Sequence, residues 1–181
     1  MKEKILPPMV LMLICAICCG LLVFAYNLTY VDTTGVITDK MNTALTEIYG
    51  TSDGFEMLKD ESGNVVSYEG VTSVLKDANG NVAFEITADG YNKGGIYLLV
   101  GMNTDGTVKG MSIMTIGETP GLGTKVQDKA FLDKFTGAAS QAEAEAVDNI
   151  TGASRSSNGI KAAVTAAVNA YNENKEAIFG E

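Results

Sequence analysis

The chain has no histidine and no tryptophan, and its three cysteines stand together in one run, "CAICC". Without histidine, the usual imidazole base, proton shuttle and metal ligand are missing. With no cysteine elsewhere, neither disulfides nor thiolate metal sites hold the rest of the chain. Basic residues are scarce, 13 against 22 acidic, for a formal net charge of −9. Such a chain repels nucleic-acid phosphates, so nucleic acid is excluded as a partner. Yet 46 % of residues are hydrophobic and only 19 % charged, which excludes a disordered acidic tail. Internal repeats and low-complexity linkers are absent as well.

What is present begins at the N-terminus. "MKEK" is followed by residues 5–28, which are free of charge. A bilayer core needs about 20 apolar residues in a helix, and this run supplies them. Pro7 and Pro8 are expected in the first turn, where missing N–H groups cost least. Tyr26 and Tyr30 stand where an interfacial aromatic belt belongs. Lys2 and Lys4 precede the run, and no basic residue follows before Lys40. The positive-inside rule then puts the N-terminus in the cytoplasm and the remainder outside, in a single-pass arrangement in the cell membrane. A cleaved signal peptide is the competing reading, with "VFA" before Tyr26 as its cleavage site. The run is longer than a signal-peptide core, which favours an uncleaved anchor. Cys15, Cys18 and Cys19 then read as small packing residues of a membrane helix rather than cluster ligands, and no metal site is expected.

Residues 33–49 carry apolar side chains at helical spacing. From residue 54 to 116 the pattern changes to short alternating runs, with hairpins expected at Asn79-Gly80 and Asp105-Gly106. Met102, Met111 and Met114 read as core filling. "GETPGLGTK", residues 117–125, has the glycine and proline density of a shaped loop that lets a ligand come close to the backbone. "VQDKAFLDKF" predicts one amphipathic helix ending at Gly137, and "AASQAEAEAV" a loop or short strand. A last helix is expected over residues 156–177. The fold class is α+β: one N-terminal transmembrane helix, then one domain with an antiparallel sheet and flanking helices. The expected divisions are residues 1–31 for tail and anchor, 32–50 for a connecting helix and 51–181 for the external domain.

Residues 148–164, "DNITGASRSSNGIKAAV", place Thr151, Ser154, Ser156, Ser157 and, just beyond, Thr165 around the start of that last helix. No imidazole exists to make any of them a conventional nucleophile. The order of elements, the loop Glu118-Thr119-Pro120-Gly121-Leu122-Gly123 and the run Asp148-Asn149-Ile150-Thr151-Gly152-Ala153-Ser154 together resemble a known family. It is the FMN-binding domain shared by the G-type subunit of the Rnf ferredoxin:NAD⁺ oxidoreductase and the C-type subunit of the Na⁺-translocating NADH:quinone reductase. The resemblance covers nearly the full length. It implies that FMN is attached by a phosphoester to the last hydroxyl of the D-x-x-[ST]-G-A-[ST] motif, here Ser154, by a separate flavin transferase that recognises Asp148, Thr151, Gly152, Ala153 and Ser154. It further implies Glu118, Thr119, Gly121, Leu122, Gly123, Lys125, Thr151, Gly152 and Ala153 as cofactor-binding residues. Two departures stand out. The family's acceptor is usually threonine, and the His-Lys pair often found before the loop is replaced by Ile116-Gly117.

In this reading the hydroxyl is an acceptor modified once. A helix starting near Ser156 offers its free N–H groups to the phosphate, with Ser156 and Ser157 as caps and Arg155 as added charge. The resemblance implies an electron-transfer subunit with no independent active site, working with integral membrane and peripheral subunits and in contact with lipid. A quinone-reductase C-type subunit, a free-standing anchored FMN carrier and an anchored binding module without redox chemistry are the alternatives. The charge asymmetry generates a direct expectation. Protease added to wall-stripped cells should cut at Lys40 and beyond; full protection of the domain reverses the orientation.

Overall fold

The computed structural model describes residues 2–29 and 35–180, and it divides into two compact units, Met1–Thr33 and Thr34–Glu181. Tyr30 and the first residues expected in the connecting helix, Thr33 and Thr34, lie outside the described residues.

The first unit is helix α1, Lys2–Thr29. Its segment Met9–Thr29 is long and apolar enough to cross a membrane, with a mean hydropathy of 2.7. Leu13, Leu21, Leu22 and Phe24 point outward on different sides of it. A helix apolar all round has no polar face to give to water, a pattern shared by membrane spans and signal sequences. The three thiols are free and exposed on it. Because α1 begins at Lys2, Pro7 and Pro8 fall beyond the first turn, contrary to expectation. The carbonyls they leave unpaired lie close to the helix end, where the cost is smallest.

The second unit is built on a five-stranded antiparallel meander. Its strands are β1, Glu56–Met57; β2, Ser73–Lys76; β3, Val82–Ala88; β4, Ile96–Met102; and β5, Val108–Ile116. Both expected hairpins form. At the first, the Asp77 carboxylate accepts from the N–H groups of Asn79 and Asn81 at 2.9 and 2.8 Å, and Gly80 takes φ +84. One sheet face carries Val82, Phe84, Ile86, Leu98, Val100 and Met102 into the main core. There they meet Ile160, Ala163, Val164, Ala167 and Val168 of helix α5, Ser154–Glu173. The other face carries Leu75, Ala83 and Leu99 against Ala44 and Leu45 of helix α2, Asp39–Tyr49. β3 and β4 are covered on both faces, which is why their sequences read as nearly continuous apolar runs. Met102 is fully buried, and Met111 and Met114 pack partly buried against opposite clusters.

Several elements depart from the sequence expectation. "VQDKAFLDKF" is not one helix. It is a 3-10 turn over Gly123–Gln127, helix α3 over Lys129–Leu132 and a 3-10 turn over Asp133–Phe135. Asp128 makes the break: its backbone is extended, ψ 122, and its carboxylate caps Ala130 N at 3.0 Å. The apolar positions still serve their purpose, since Val126, Phe131, Leu132 and Phe135 are all buried. Residues 138–147 are neither loop nor strand but contain helix α4, Gln141–Ala146. Ser140 caps it by accepting from Glu143 N, and the Glu143 carboxylate reaches back to Ala139 N at 2.7 Å. "SQAE" is the capping-box signature in sequence, though here the carboxylate reaches the N–H one residue before the cap. The last helix starts at Ser154 rather than Ser156, and Asn174 separates it from helix α6, Lys175–Phe179.

Gly159 sets how closely α5 approaches the β3–β4 loop. A Cβ there would stand 2.5 Å from the Asp89 carbonyl oxygen, a backbone atom that cannot step aside. Helix propensity alone would make Gly159→Ala stabilising by about 1 kcal/mol. Overpacking costs about 1–3 kcal/mol, so net destabilisation is expected. Denaturant unfolding of the full chain in detergent should show a lowered midpoint; a raised one contradicts the close approach.

Candidate functional site

The register brings three strand ends together, with Ala88 opposite Ile96 and Ile96 opposite Ile116. The loop of residues 89–95 and the loop after β5 therefore leave the sheet side by side. The N-terminus of α5 packs against the first of them. Between these segments lies a cleft of about 530 Å³. Tyr91 lines it from one loop; Glu118, Thr119, Leu122 and Gly123 from the other; and Gly152, Ala153, Ser154, Arg155 and Ser156 from the helix start. A larger groove of about 760 Å³ runs along the outer side of α5 and holds none of the two motifs' residues. Size does not decide between them. The smaller cleft is the one where the two sequence motifs meet.

The helix start is shaped by its own sequence. Ala153 N bonds Ile150 O at 2.9 Å, closing a turn in which Gly152 takes φ +82. Side chains other than glycine rarely adopt that angle. Ser157 N then makes the first helical bond, to Ala153 O at 2.8 Å. The N–H groups of Ser154, Arg155 and Ser156 have no acceptor within the helix, and no side chain caps it. The expectation of Ser156 and Ser157 as caps is thus corrected. Both are buried inside the first turn. The Ser157 hydroxyl accepts from Ile150 N at 3.1 Å, while the Ser156 hydroxyl donates to Glu118. Ser154, the first residue of the helix, is exposed at the cleft.

Glu118 is no solvated carboxylate; it is 5 % exposed. Tyr91 N and Asn92 N donate to its two oxygens at 2.9 and 3.0 Å, beside the Ser156 hydroxyl. Desolvation pushes its pKa up. The hydrogen bonds from Ser156, Tyr91 and Asn92 outweigh that and hold it below the usual carboxylate value. Gly123 is needed for this packing, since a Cβ there would lie 2.7 Å from Ser156 Oγ and 2.8 Å from Glu118 Cβ. Gly121 differs: it is exposed with φ +74, and a Cβ there meets nothing within 4 Å. Lys125, Asp148 and Thr151 are exposed and do not line the cleft. Tyr91 and its loop were missed by the sequence reading. The signal was "DGYNKGG", a glycine cluster between two apolar runs, of the same kind that marks "ETPGLG".

Residues 90–169 match the family profile of the FMN-binding domain. That span includes every residue lining the cleft, so the cleft lies wholly within the part of the chain that is similar to an FMN-binding domain. The chain is also similar to the G-type subunit of the ion-translocating oxidoreductase complex of Shewanella oneidensis. The two are 33 % identical over 108 residues, 53 % of this chain and 50 % of that one. The chain thus spans about half the length of the curated relative it matches.

A depressed pKa has a direct consequence at low pH. Glu118 is more acidic folded than unfolded, so its contribution is complete above the unfolded value near 4.5 and disappears as pH falls below it. Exchange of the Tyr91 and Asn92 amides, corrected for intrinsic rate, should stay protected down to that value and accelerate below it. Loss of protection between neutral pH and 4.5 contradicts the assignment.

Proposed function

We propose that the chain is a membrane-anchored electron-transfer subunit that carries FMN in a phosphoester to Ser154 Oγ. The observation that carries this reading is the position of Ser154. It is an exposed hydroxyl on the first residue of a 20-residue helix whose N-terminus no side chain caps, at the mouth of a cleft inside the span that matches the FMN-binding domain profile. The cleft suits the group. The unpaired N–H groups of Ser154, Arg155 and Ser156, the helix dipole and the Arg155 cation all favour a phosphate there. Gly152 and Ala153 are small, so a separate flavin transferase, working from a nucleotide-activated FMN donor, can reach the hydroxyl. Recognition of Asp148 and Thr151, exposed beside the acceptor, belongs to that step rather than to flavin contact.

Bound FMN accepts one or two electrons and so joins carriers of different stoichiometry. The chain's own residues bind and orient it. Tyr91 and Leu122, 70 % and 50 % exposed, offer large surfaces to a planar ring. By analogy with its relative, the chain works inside an ion-translocating oxidoreductase complex, with integral membrane subunits packing on α1. The anchor holds the FMN domain on the extracytoplasmic face, where a covalent link retains a cofactor that cannot readily be replaced.

The test is substitution at the acceptor. Truncating one exposed hydroxyl should change stability by no more than about 0.5 kcal/mol. Ser154→Ala, co-produced with a flavin transferase, should fold and insert but show no flavin fluorescence on a denaturing gel. Ser154→Thr should keep it. Fluorescence persisting in Ser154→Ala removes Ser154 from the role.

A further inference from the structure

We propose that Glu118 is a positioning residue of the cleft, fixing Tyr91 over the start of α5; this rests on the function proposed above. Its two oxygens accept from donors on two other chain segments. Oε1 accepts from Asn92 N at 3.0 Å, and Oε2 accepts from Tyr91 N at 2.9 Å and from the Ser156 hydroxyl. The Tyr91 ring is 70 % exposed, so side-chain packing does not place it. Its backbone does, and that backbone ends on Glu118. Elsewhere the loop closes mostly on itself, with Gly90 N and Gly95 N on Asn92 O at 3.1 Å and Gly94 N on Asp89 Oδ1 at 2.7 Å. Gly117 N, on Gly95 O at 2.6 Å, and the Asn92 side chain, on Gly117 O, tie it to the strand β5 side. Its hydrogen-bonded tie to α5 runs through Glu118.

The space around the carboxylate is cut to its shape. A Cβ at Gly90 would stand 2.6 Å from Glu118 Cδ, and one at Gly95 2.6 Å from Oε1. Only a side chain with two acceptor oxygens at this reach satisfies two backbone N–H donors on different atoms. Glutamine keeps one oxygen and turns an NH₂ toward the other donor, leaving a shallowly buried N–H without an acceptor. Aspartate is one carbon short.

The experiment uses the full chain in detergent, with covalent FMN, and reads amide exchange and the visible circular dichroism of the flavin. In Glu118→Gln, exchange over residues 89–95 should rise by about tenfold, the effect of one lost hydrogen bond, and the flavin dichroism should change. Tyr91→Leu should change the same dichroism band while the loop stays protected. The double variant should change it no further, since both act through Tyr91. Normal exchange in Glu118→Gln, or additive optical changes, overturns the proposal. Should Glu118→Gln fail to fold, Ser156→Ala decides. It breaks the tie to α5 and leaves both backbone bonds, so the dichroism should change while residues 89–95 stay protected; an unchanged dichroism overturns the proposal. Absence of covalent FMN from the unsubstituted chain fails the proposed function instead, and exchange in the flavin-free protein still decides the role of Glu118.

Discussion

A carboxylate shut away from water must be satisfied by whatever donors surround it, and at Glu118 those donors are neutral. Among the described residues the one ion pair is Lys129 with Asp133, which does not involve Glu118. Two backbone N–H groups and one serine hydroxyl do the work a cation would otherwise do. They come from the β3–β4 loop and the first turn of α5, so satisfying the carboxylate forces three segments to one point. The cleft is the space left over where they meet. Glycine at positions 90, 95 and 123 follows from the same constraint, because any Cβ would occupy the carboxylate's own volume.

The three serines of the first turn of α5 show how one residue type is divided among tasks. Ser157 turns inward and accepts from Ile150 N, shaping the turn before the helix. Ser156 turns inward and donates to Glu118. Ser154 faces out, exposed at the cleft, and is the acceptor in the attachment proposed above. A chain without histidine cannot activate a serine by the usual base. An acceptor that is modified once by another enzyme needs exposure and room instead, and Gly152 and Ala153 beside it supply both.

Much of this was legible in the sequence because the relevant signals are local. Alternating apolar runs with Asn-Gly and Asp-Gly between them gave the two hairpins, and helical spacing gave α2 and α5. The two motifs, apart in sequence, meet at one cleft. What stayed hidden was non-local. That residues 89–95 cross to meet Glu118 depends on strand register, which no single run reveals. Ser156 and Ser157 looked like caps since serine near a helix start usually is one; Glu118 took one hydroxyl and Ile150 N the other. The broken helix around Asp128 was a misjudged period, because Val126, Phe131 and Phe135 keep apolar spacing across the interruption. Helix α4 was missed even though its capping box was in view.

The central claim is chemical, that one hydroxyl at a helix start carries the cofactor, and it is open to a single observation. Purified chain from cells that also produce a flavin transferase is cleaved after glutamate, and the peptide of residues 146–173 is sequenced by mass spectrometry. The account predicts one FMN-sized addition, retained through denaturation and localised by fragmentation to Ser154. An unmodified peptide, or an addition on Thr151 or Ser156, contradicts it.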